Sequence, residues 1–255
     1  MIRVSIVVHD KILHLAKMID NLLAYPEVSM IVIRFNFPRS FYRNIPDFYP
    51  DKIKCFYNDK PEGFGKNHNL NFQTTVEKFF CVLNPDLVFL ENPFSSLLKR
   101  FHTGNAGALT PTVLDTNQER TDHARPLMSL CSLVGLLILS ATKRQRIFKD
   151  TKSSDVISIA GMFMLYPTSV FRALRGFDER YFLYYEDTDI CRRMFDAKLE
   201  VYVDIESKVI HDAQRTSHKS FRFFLIHVLS LITYYLIHRD FTKVRRKNNF
   251  QKLVR

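Results

Sequence analysis

The residues with the clearest chemical potential are three carboxylates in four positions, Glu186, Asp187 and Asp189, which follow two tyrosines. A carboxylate that neighbouring acids flank and that is partly withdrawn from water can act as a general base. The same spacing also fits the acidic first turn of an ordinary helix, where the helix dipole favours negative charge. From the spacing alone, this second interpretation is the stronger one.

Two other residues could bind a cation or a phosphate group. Asp86 follows an apolar run within Asn84-Pro85-Asp86, a position that suits a hard cation but is also good turn chemistry. His211 ends another apolar run, and it gains a chemical role only if it meets Asp86 in space. A histidine in such a place is more often part of the core.

A glycine-containing segment covers residues 61–69. Gly63 and Gly65 would let the backbone approach a ligand closely, and Lys66 and Asn69 would add polar contacts. The segment lacks the Gly-Lys-Ser/Thr of a phosphate-binding loop and the third glycine of a dinucleotide fingerprint. An ordinary surface loop before a helix is the alternative.

Alternating strands and helices must position these residues. The pattern predicts strands at residues 4–8, 30–35, 53–57, 80–83 and 157–165, and helices at residues 14–23 and 70–80. This order is typical of an α/β protein with a doubly wound, parallel sheet. Ligands bind such sheets beyond the carboxyl ends of the strands. Residues that follow strands, among them His9 and Asn36, are therefore of most interest.

The composition limits the class of protein. The chain has 255 residues, 46% of them hydrophobic, which is enough for a large folded domain and excludes a disordered chain. Its four cysteines are far apart and lack zinc-ligand spacing, so we expect free thiols in a reducing compartment. The first apolar run is too short for a signal peptide, so we expect a cytoplasmic protein.

The C-terminal part combines an apolar helix with positive charge. Residues 213–255 contain ten Lys or Arg and one acidic residue, which suits an anionic membrane or a nucleic acid. Residues 221–237 are apolar, with a polar stripe of His227, Ser230, Tyr234 and His238. A helix in the membrane interface and a helix packed on the core are nearly equal interpretations, with a lean to the membrane. A second apolar run, 127–139, is too short to span a bilayer.

Together these segments resemble the family 2 glycosyltransferases, and within them the rhamnosyltransferase-like branch. The resemblance covers nearly the whole chain in the right order. Residues 58–69 are similar to the family's Asn-x-x-x-Gly-Phe-Gly-x-x-x-Asn loop, and residues 83–86 to its Leu-Asn-Pro-Asp segment. Residues 159–161 and 176–189 are the most specific match, and His211 matches a late metal-binding histidine.

The resemblance implies a GT-A fold, a mixed and mostly parallel sheet flanked by helices, over residues 1–219. It also implies a membrane-proximal amphipathic helix and basic tail over residues 220–255. Asp187 would be the base of an inverting hexosyltransferase, and a divalent Mg or Mn, bound mainly with the donor diphosphate, would lie at Asp86 and His211. The implied donor-side residues are His9, Asn36, Gly63, Gly65, Lys66, Asn69, Asp86 and Arg215, and the implied acceptor-side residues are Gly161, Glu186 and Asp189.

The implied substrates are a dTDP- or UDP-linked sugar, with rhamnose as a candidate, and a polyprenyl-diphosphate-linked saccharide. Such an enzyme would build bacterial surface polysaccharide, O-antigen or capsule, as a peripheral protein on the inner face of the cytoplasmic membrane, without nucleic acid. Phe35 stands where the family has an Asp that contacts the nucleobase, His9 is also atypical, and Asn84 replaces a metal carboxylate. These departures leave the donor's base open. A catalytically impaired scaffold protein and a basic nucleic-acid-binding protein remain the alternatives.

Overall fold

The computed structural model describes residues 1–9, 15–41, 51–101, 105–125, 158–212 and 221–238. The predicted apolar helix at 127–139, Arg215, and the basic residues after 238 lie outside the described residues.

Among the described residues, eight strands form one sheet in the order β3-β2-β1-β4-β9-β6-β10-β5, and β7 and β8 form a small second sheet. Strands β1 to β4 are parallel to one another, as are β6 and β10. Strand β9 runs antiparallel between β4 and β6, and β5 runs antiparallel to β10. The strands are β1 (Ile2–Val8), β2 (Val28–Phe35), β3 (Ile53–Tyr57), β4 (Phe79–Leu83), β5 (Leu87–Phe89), β6 (Ala106–Leu114), β7 (Ala124–Arg125), β8 (Ser158–Ile159), β9 (Phe163–Pro167) and β10 (Glu200–His211).

Helices cover both faces of the sheet, which explains why β1 and β4 are buried along their whole length, although β1 includes the polar residues Arg3 and Ser5. Side chains of α1 and α3 belong to the core on one face, and side chains of α2, α4 and α5 to the core on the other. The mixed, mostly parallel sheet that we expected is confirmed. The helices are α1 (Leu15–Ala24), α2 (Phe64–Phe72), α3 (Phe94–Phe101), α4 (Thr168–Ala173), α5 (Glu186–Asp196) and α6 (Phe221–Ile237), and a 3-10 turn covers Arg39–Phe41.

Two predicted elements differ from the structure. The helix that we placed at residues 70–80 is α2, which begins six residues earlier and ends at Phe72. Its inward face carries the buried polar residues Asn67, His68 and Asn71, so no apolar period marks it. The single strand that we expected at 157–165 is two strands, β8 and β9, which a turn at residues 160–162 separates.

Helix α6 has the bounds that its apolar run predicts, and the polar stripe faces the rest of the protein. Ser230 and Tyr234 are its buried residues. None of the helices in the described part of the chain has the length and hydropathy needed to cross a membrane. The exposed large apolar side chains of α6 are Phe221, Phe224, Leu225, Leu229, Ile232 and Leu236.

Candidate active site

At one edge of the sheet, where β1, β2, β4 and β10 end, lie the predicted site residues His9, Asn36, Asp86 and His211. Beyond the last pair of β4 and β9, the backbone N–H of Asn84 donates to the carbonyl of Met162 at 2.9 Å. Asp86 lies two residues after Asn84, and Gly161 lies one residue before Met162. His211 ends β10 opposite Leu87 of the antiparallel β5.

Asp187 lies in the first turn of α5, and three donors fix its carboxylate. Oδ2 accepts from the N–H of Gly161 at 3.1 Å, and Oδ1 accepts from the N–H and the hydroxyl of Thr188 at 2.6 and 3.2 Å. The side chain is only partly buried. A small molecule could therefore reach a carboxylate whose orientation is already set, as a general base requires.

The other two carboxylates of the cluster lie in different surroundings. Glu186 is 5% exposed, and its Oε2 atom is buried without a hydrogen bond partner among the described residues. Burial, and then the charges of Asp187 and Asp189, raise the pKa of Glu186 well above its usual range. Since ionising it there would leave an unsolvated charge, this environment favours the neutral form of Glu186.

Asp189 has no exposed surface, and protein groups bind both of its oxygens. Arg193 donates from Nε to Oδ2 at 2.7 Å, and Nε2 of His238 donates to Oδ1 at 2.8 Å. Arg193 also donates to the carbonyls of Leu174 and Gly176. The acceptor-side role implied for Asp189 stays a prediction. In the structure, Asp189 and Arg193 connect α5 to the loop before it and to His238, the residue that follows α6.

The two residues before the cluster have a rare backbone conformation. Tyr184 and Tyr185 have φ values of 70° and 69°, in the left-handed region. For a residue with a side chain this conformation costs on the order of 1–2 kcal/mol. Strain of this kind persists where surrounding contacts hold it, and it concentrates at functional sites.

Asp86 and His211 meet in space, as their candidate role requires. Nε2 of His211 lies 3.1 Å from Oδ1 of Asp86. Both atoms are buried, and neither has a hydrogen bond partner among the described residues. Two adjacent, unsatisfied potential ligand atoms fit a shared divalent cation. Within the described residues no group of three His, Cys, Asp or Glu could hold a metal, so such an ion would need further oxygen ligands from a bound diphosphate.

A network of asparagines ties the strand ends to the segment before α2. Asn36 is fully buried, and its Oδ1 accepts from Asn58 Nδ2 and from the N–H of Glu62, both at 2.8 Å. Its Nδ2 donates to the Glu62 carbonyl at 2.9 Å and to Nδ1 of His9 at 3.0 Å. Asn67 joins the network through Asn58 and Asn36. His9, Asn36 and Asn58 thus lie together at the strand ends, as the sequence predicted, but sequence reasoning missed the part that Asn67 takes in the network.

The two glycines of this segment leave room for other parts of the protein, a role that the sequence did not predict. A Cβ at Gly63 would lie 2.9 Å from the carbonyl oxygen of Phe182, and a Cβ at Gly65 would lie 2.7 Å from Cβ of Phe177. Protein atoms therefore occupy the space that a side chain would need at either position, and the donor role implied for the two glycines stays a prediction. Gly161 has a similar role, since a Cβ there would lie 3.1 Å from the ring of Phe64.

Protein groups also engage the two polar side chains of the segment. Asn69 accepts from the N–H of Phe177 and donates to its carbonyl, both at 2.9 Å, so its amide holds the loop before the carboxylate cluster rather than pointing to a free edge. Nζ of Lys66 lies 3.0 Å from the carboxylate of Glu62, at the surface. Donor contacts for these residues stay a prediction.

Phe35 replaces the expected nucleobase-binding Asp with a buried aromatic ring. It has no exposed surface, and it stacks on Tyr57 with a centroid distance of 4.9 Å and an angle of 13°. The guanidinium of Arg39 lies 5.8 Å from the Tyr57 ring. An aromatic surface with a nearby cation thus replaces a carboxylate at this end of the sheet.

A carboxylate cluster and an Asp–His pair thus lie at one edge of this sheet. The family model described as "Glycosyltransferase like family 2" matches residues 5–224. The chain belongs to this family, and the resemblance that its motifs indicated is confirmed.

Curated relatives are rhamnosyltransferases. The chain is 26% identical over 247 residues to rhamnosyltransferase WbbL of Escherichia coli K12, covering 92% of each protein. It is 29% identical over 153 residues to the N-acetylglucosaminyl-diphospho-decaprenol L-rhamnosyltransferase of Mycobacterium tuberculosis, covering 55% of this chain and 49% of that protein.

Solved structures agree with the fold. The mannosyltransferase PcManGT of Pyrobaculum calidifontis, in complex with GDP-Man and Mn2+, matches 99% of this chain and 67% of its own with a TM-score of 0.63 and 11% identity. GalNAc-T7 with UDP, GalNAc and Mn2+ matches 85% of this chain and 44% of its own, with a TM-score of 0.63 and 14% identity. At these identities the similarity concerns the fold alone.

Proposed function

We propose that this glycosyltransferase is an inverting enzyme that moves a sugar, with rhamnose as the candidate, from a nucleoside diphosphate to a hydroxyl of a lipid-linked saccharide. The observation that carries the proposal is the geometry of Asp187. Its oriented, partly exposed carboxylate accepts a hydrogen bond from Gly161. The next residue, Met162, accepts from the backbone N–H of Asn84, two positions before Asp86. The candidate base and the candidate metal-binding pair, Asp86 and His211, lie at one edge of the sheet, which supports the proposal.

The chemistry needs one displacement. Asp187 takes the proton of the acceptor hydroxyl as that oxygen forms its bond to the anomeric carbon of the donor. The bond from that carbon to the diphosphate breaks, and the nucleoside diphosphate leaves with the electron pair. Attack from the face opposite the leaving group inverts the anomeric centre, and no second nucleophile on the protein is needed.

The leaving group develops negative charge, which the site must stabilise. Asp86 and His211 would hold a divalent cation, Mg2+ or Mn2+, together with the diphosphate. When bound, such a cation supplies positive charge next to the departing phosphate. Lys66, on the first turn of α2, is a candidate for a further phosphate contact.

The name of the mycobacterial relative supports the acceptor class, because that protein acts on an N-acetylglucosaminyl diphosphate attached to decaprenol. Such an acceptor lies at a membrane surface. The exposed apolar side of α6 and the basic C-terminal residues suit a peripheral position on the inner face of the cytoplasmic membrane. We therefore propose residues 1–219 as the catalytic domain and residues 220–255 as its membrane-proximal part, in synthesis of bacterial surface polysaccharide.

The Asp187→Asn variant tests the proposal, because asparagine keeps the shape of the side chain but cannot take a proton. We expect turnover to fall by roughly 10²–10⁴, with little change in donor affinity. The assay offers a panel of dTDP-, UDP- and GDP-sugars with N-acetylglucosaminyl diphosphate on a short prenol, and NMR of the product reports the anomeric configuration.

The matched control is Asp196→Asn, the same change at the other end of α5, where the carboxylate pairs with Arg192. It should transfer sugar at the wild-type rate. Normal turnover by Asp187→Asn would remove the assigned base. Absence of both transfer and donor hydrolysis across the panel would instead favour a catalytically impaired scaffold protein.

A further inference from the structure

The segment that carries the base is held from outside the sheet. Asp187 follows the left-handed pair Tyr184 and Tyr185, and it precedes the fully buried Asp189 by two residues. A conformation that the chain does not prefer on its own needs neighbours that impose it. Helix α6 supplies such neighbours.

The polar side of α6 contacts residues on both sides of Asp187. Before the base, the hydroxyl of Ser230 donates to the carbonyl of Leu183 at 2.8 Å. After the base, Nε2 of His238 donates to the buried carboxylate of Asp189 at 2.8 Å.

Aromatic contacts fill the interval between these two hydrogen bonds. The ring of His227 lies 5.1 Å from that of Tyr184 and 5.3 Å from that of Tyr185. The ring of Tyr234 lies 5.7 Å from that of Tyr185. The four polar residues of the stripe therefore all contact the segment 183–189, and one of them, His227, contacts both left-handed residues.

We propose that Ser230 and His238 are positioning residues for the catalytic base, and that α6 is required for turnover as well as for any contact with a membrane. The inference rests on the proposed function, in which Asp187 takes the acceptor proton. Neither residue needs to touch a substrate. Loss of either contact would let Tyr184 and Tyr185 leave their left-handed conformation, which would shift the Asp187 carboxylate from its place beside Gly161.

The test compares Ser230→Ala and His238→Ala with Thr233→Ala in the full chain. Thr233 is the matched control, because its exposed hydroxyl donates only within α6, to Leu229 at 2.9 Å. With dTDP-rhamnose and the short-prenol acceptor, or the donor that the panel selects, we expect kcat to fall roughly 10- to 100-fold for the first two variants. The KM for the donor should stay within about twofold of the wild-type value, as general-base misplacement predicts.

A conservative change separates positioning from folding. Glutamine at 238 can still donate an N–H to Asp189, so His238→Gln should recover most of the lost kcat. A purely structural role would instead lower the thermal midpoint and the fraction of folded enzyme, with kcat per donor-binding site unchanged. That result, or a kcat within twofold of wild type for both alanine variants, would overturn the inference.

Hydrogen–deuterium exchange gives a second readout that needs no activity. Amides of residues 183–189 should exchange faster in Ser230→Ala and His238→Ala, and at the wild-type rate in Thr233→Ala. Unchanged exchange in the first two variants would also contradict the inference. If Asp187→Asn is inactive and the α6 variants are fully active, the proposed function stands and this inference fails. If Asp187→Asn is active, the proposed function fails, and exchange still decides whether α6 holds the segment.

Discussion

Three neighbouring carboxylates in this protein have three different environments, although their side chains are chemically alike. Hydrogen bonds orient Asp187 and leave it reachable, and a cation and an imidazole enclose Asp189. Glu186 is buried, and its Oε2 atom has no hydrogen bond partner in the described part of the chain. The side chain alone does not set the function of a carboxylate. Its solvation and its partners do.

Glu186 has a consequence for stability that can be measured. Its pKa in the folded protein lies above its value in the unfolded chain, because burial and the nearby charges of Asp187 and Asp189 disfavour the anion. Between those two pKa values the folded state keeps a proton that the unfolded state has released. Stability therefore falls as pH rises through this interval, by up to about 1.4 kcal/mol per pH unit.

We expect Glu186→Gln to remove this pH-dependent loss, since glutamine is neutral in both states. The variant should gain stability relative to wild type, and the gain should grow from pH 5 to pH 8. Urea unfolding at several pH values measures the difference. Because glutamine resembles the neutral acid, kcat should stay within about threefold of wild type. A gain that is constant or shrinks with pH would show that Glu186 is ionised in the folded protein.

Asp86 and His211 make a metal-dependence prediction at the same scale. With only two protein ligands among the described residues, the cation should be held mainly by the complex with the donor diphosphate and be easily removed. We expect excess EDTA to abolish transfer and Mn2+ or Mg2+ to restore it. His211→Ala should raise the Mn2+ concentration needed for half-maximal rate by roughly tenfold or more. Full activity in EDTA would assign the pair another role.

At the scale of elements, the sequence predicts a helix or strand well when the residues that determine it lie within that segment. Strand β3 and helix α6 have the predicted bounds, because a mainly apolar stretch is visible within each segment. Helix α2 was misplaced, because it buries the polar residues Asn67, His68 and Asn71. His68 and Asn71 meet polar partners on β1 and β2, and Asn67 meets Asn58, which follows β3. An apolar period cannot reveal a helix that packs through hydrogen bonds.

The site shows the same limit at longer range. The resemblance of motifs indicated Asp187 and the pairing of Asp86 with His211, and the structure brings the pair together. Gly63 and Gly65 were assigned to a ligand, because the residues that need their space, Phe182 and Phe177, are more than a hundred positions away. No spacing rule links such positions, and the contact between His238 and Asp189 was missed for the same reason.

At the scale of the whole molecule, charge and apolar surface are concentrated near the C-terminus. The chain carries a net charge of +11, and residues 213–255 contain ten of its 37 Lys and Arg with one acidic residue. In the same region α6 exposes large apolar side chains, with Phe224 at 59% and Leu229 at 63%. Apolar surface beside positive charge is the combination that binds an anionic lipid surface.

We expect the full chain to sediment with vesicles of phosphatidylglycerol and phosphatidylcholine, more weakly with phosphatidylcholine alone, and less as salt rises. Phe224→Ser with Leu229→Ser should weaken binding by roughly tenfold or more, because each serine removes apolar surface that would enter the interface. Val76→Ser is the matched control: Val76 is 89% exposed but lies at the end of the turn after α2, and its loss should leave binding unchanged. If the double variant binds vesicles like wild type while the full chain binds duplex DNA or RNA at the same salt, the basic residues serve nucleic acid and the membrane proposal is wrong.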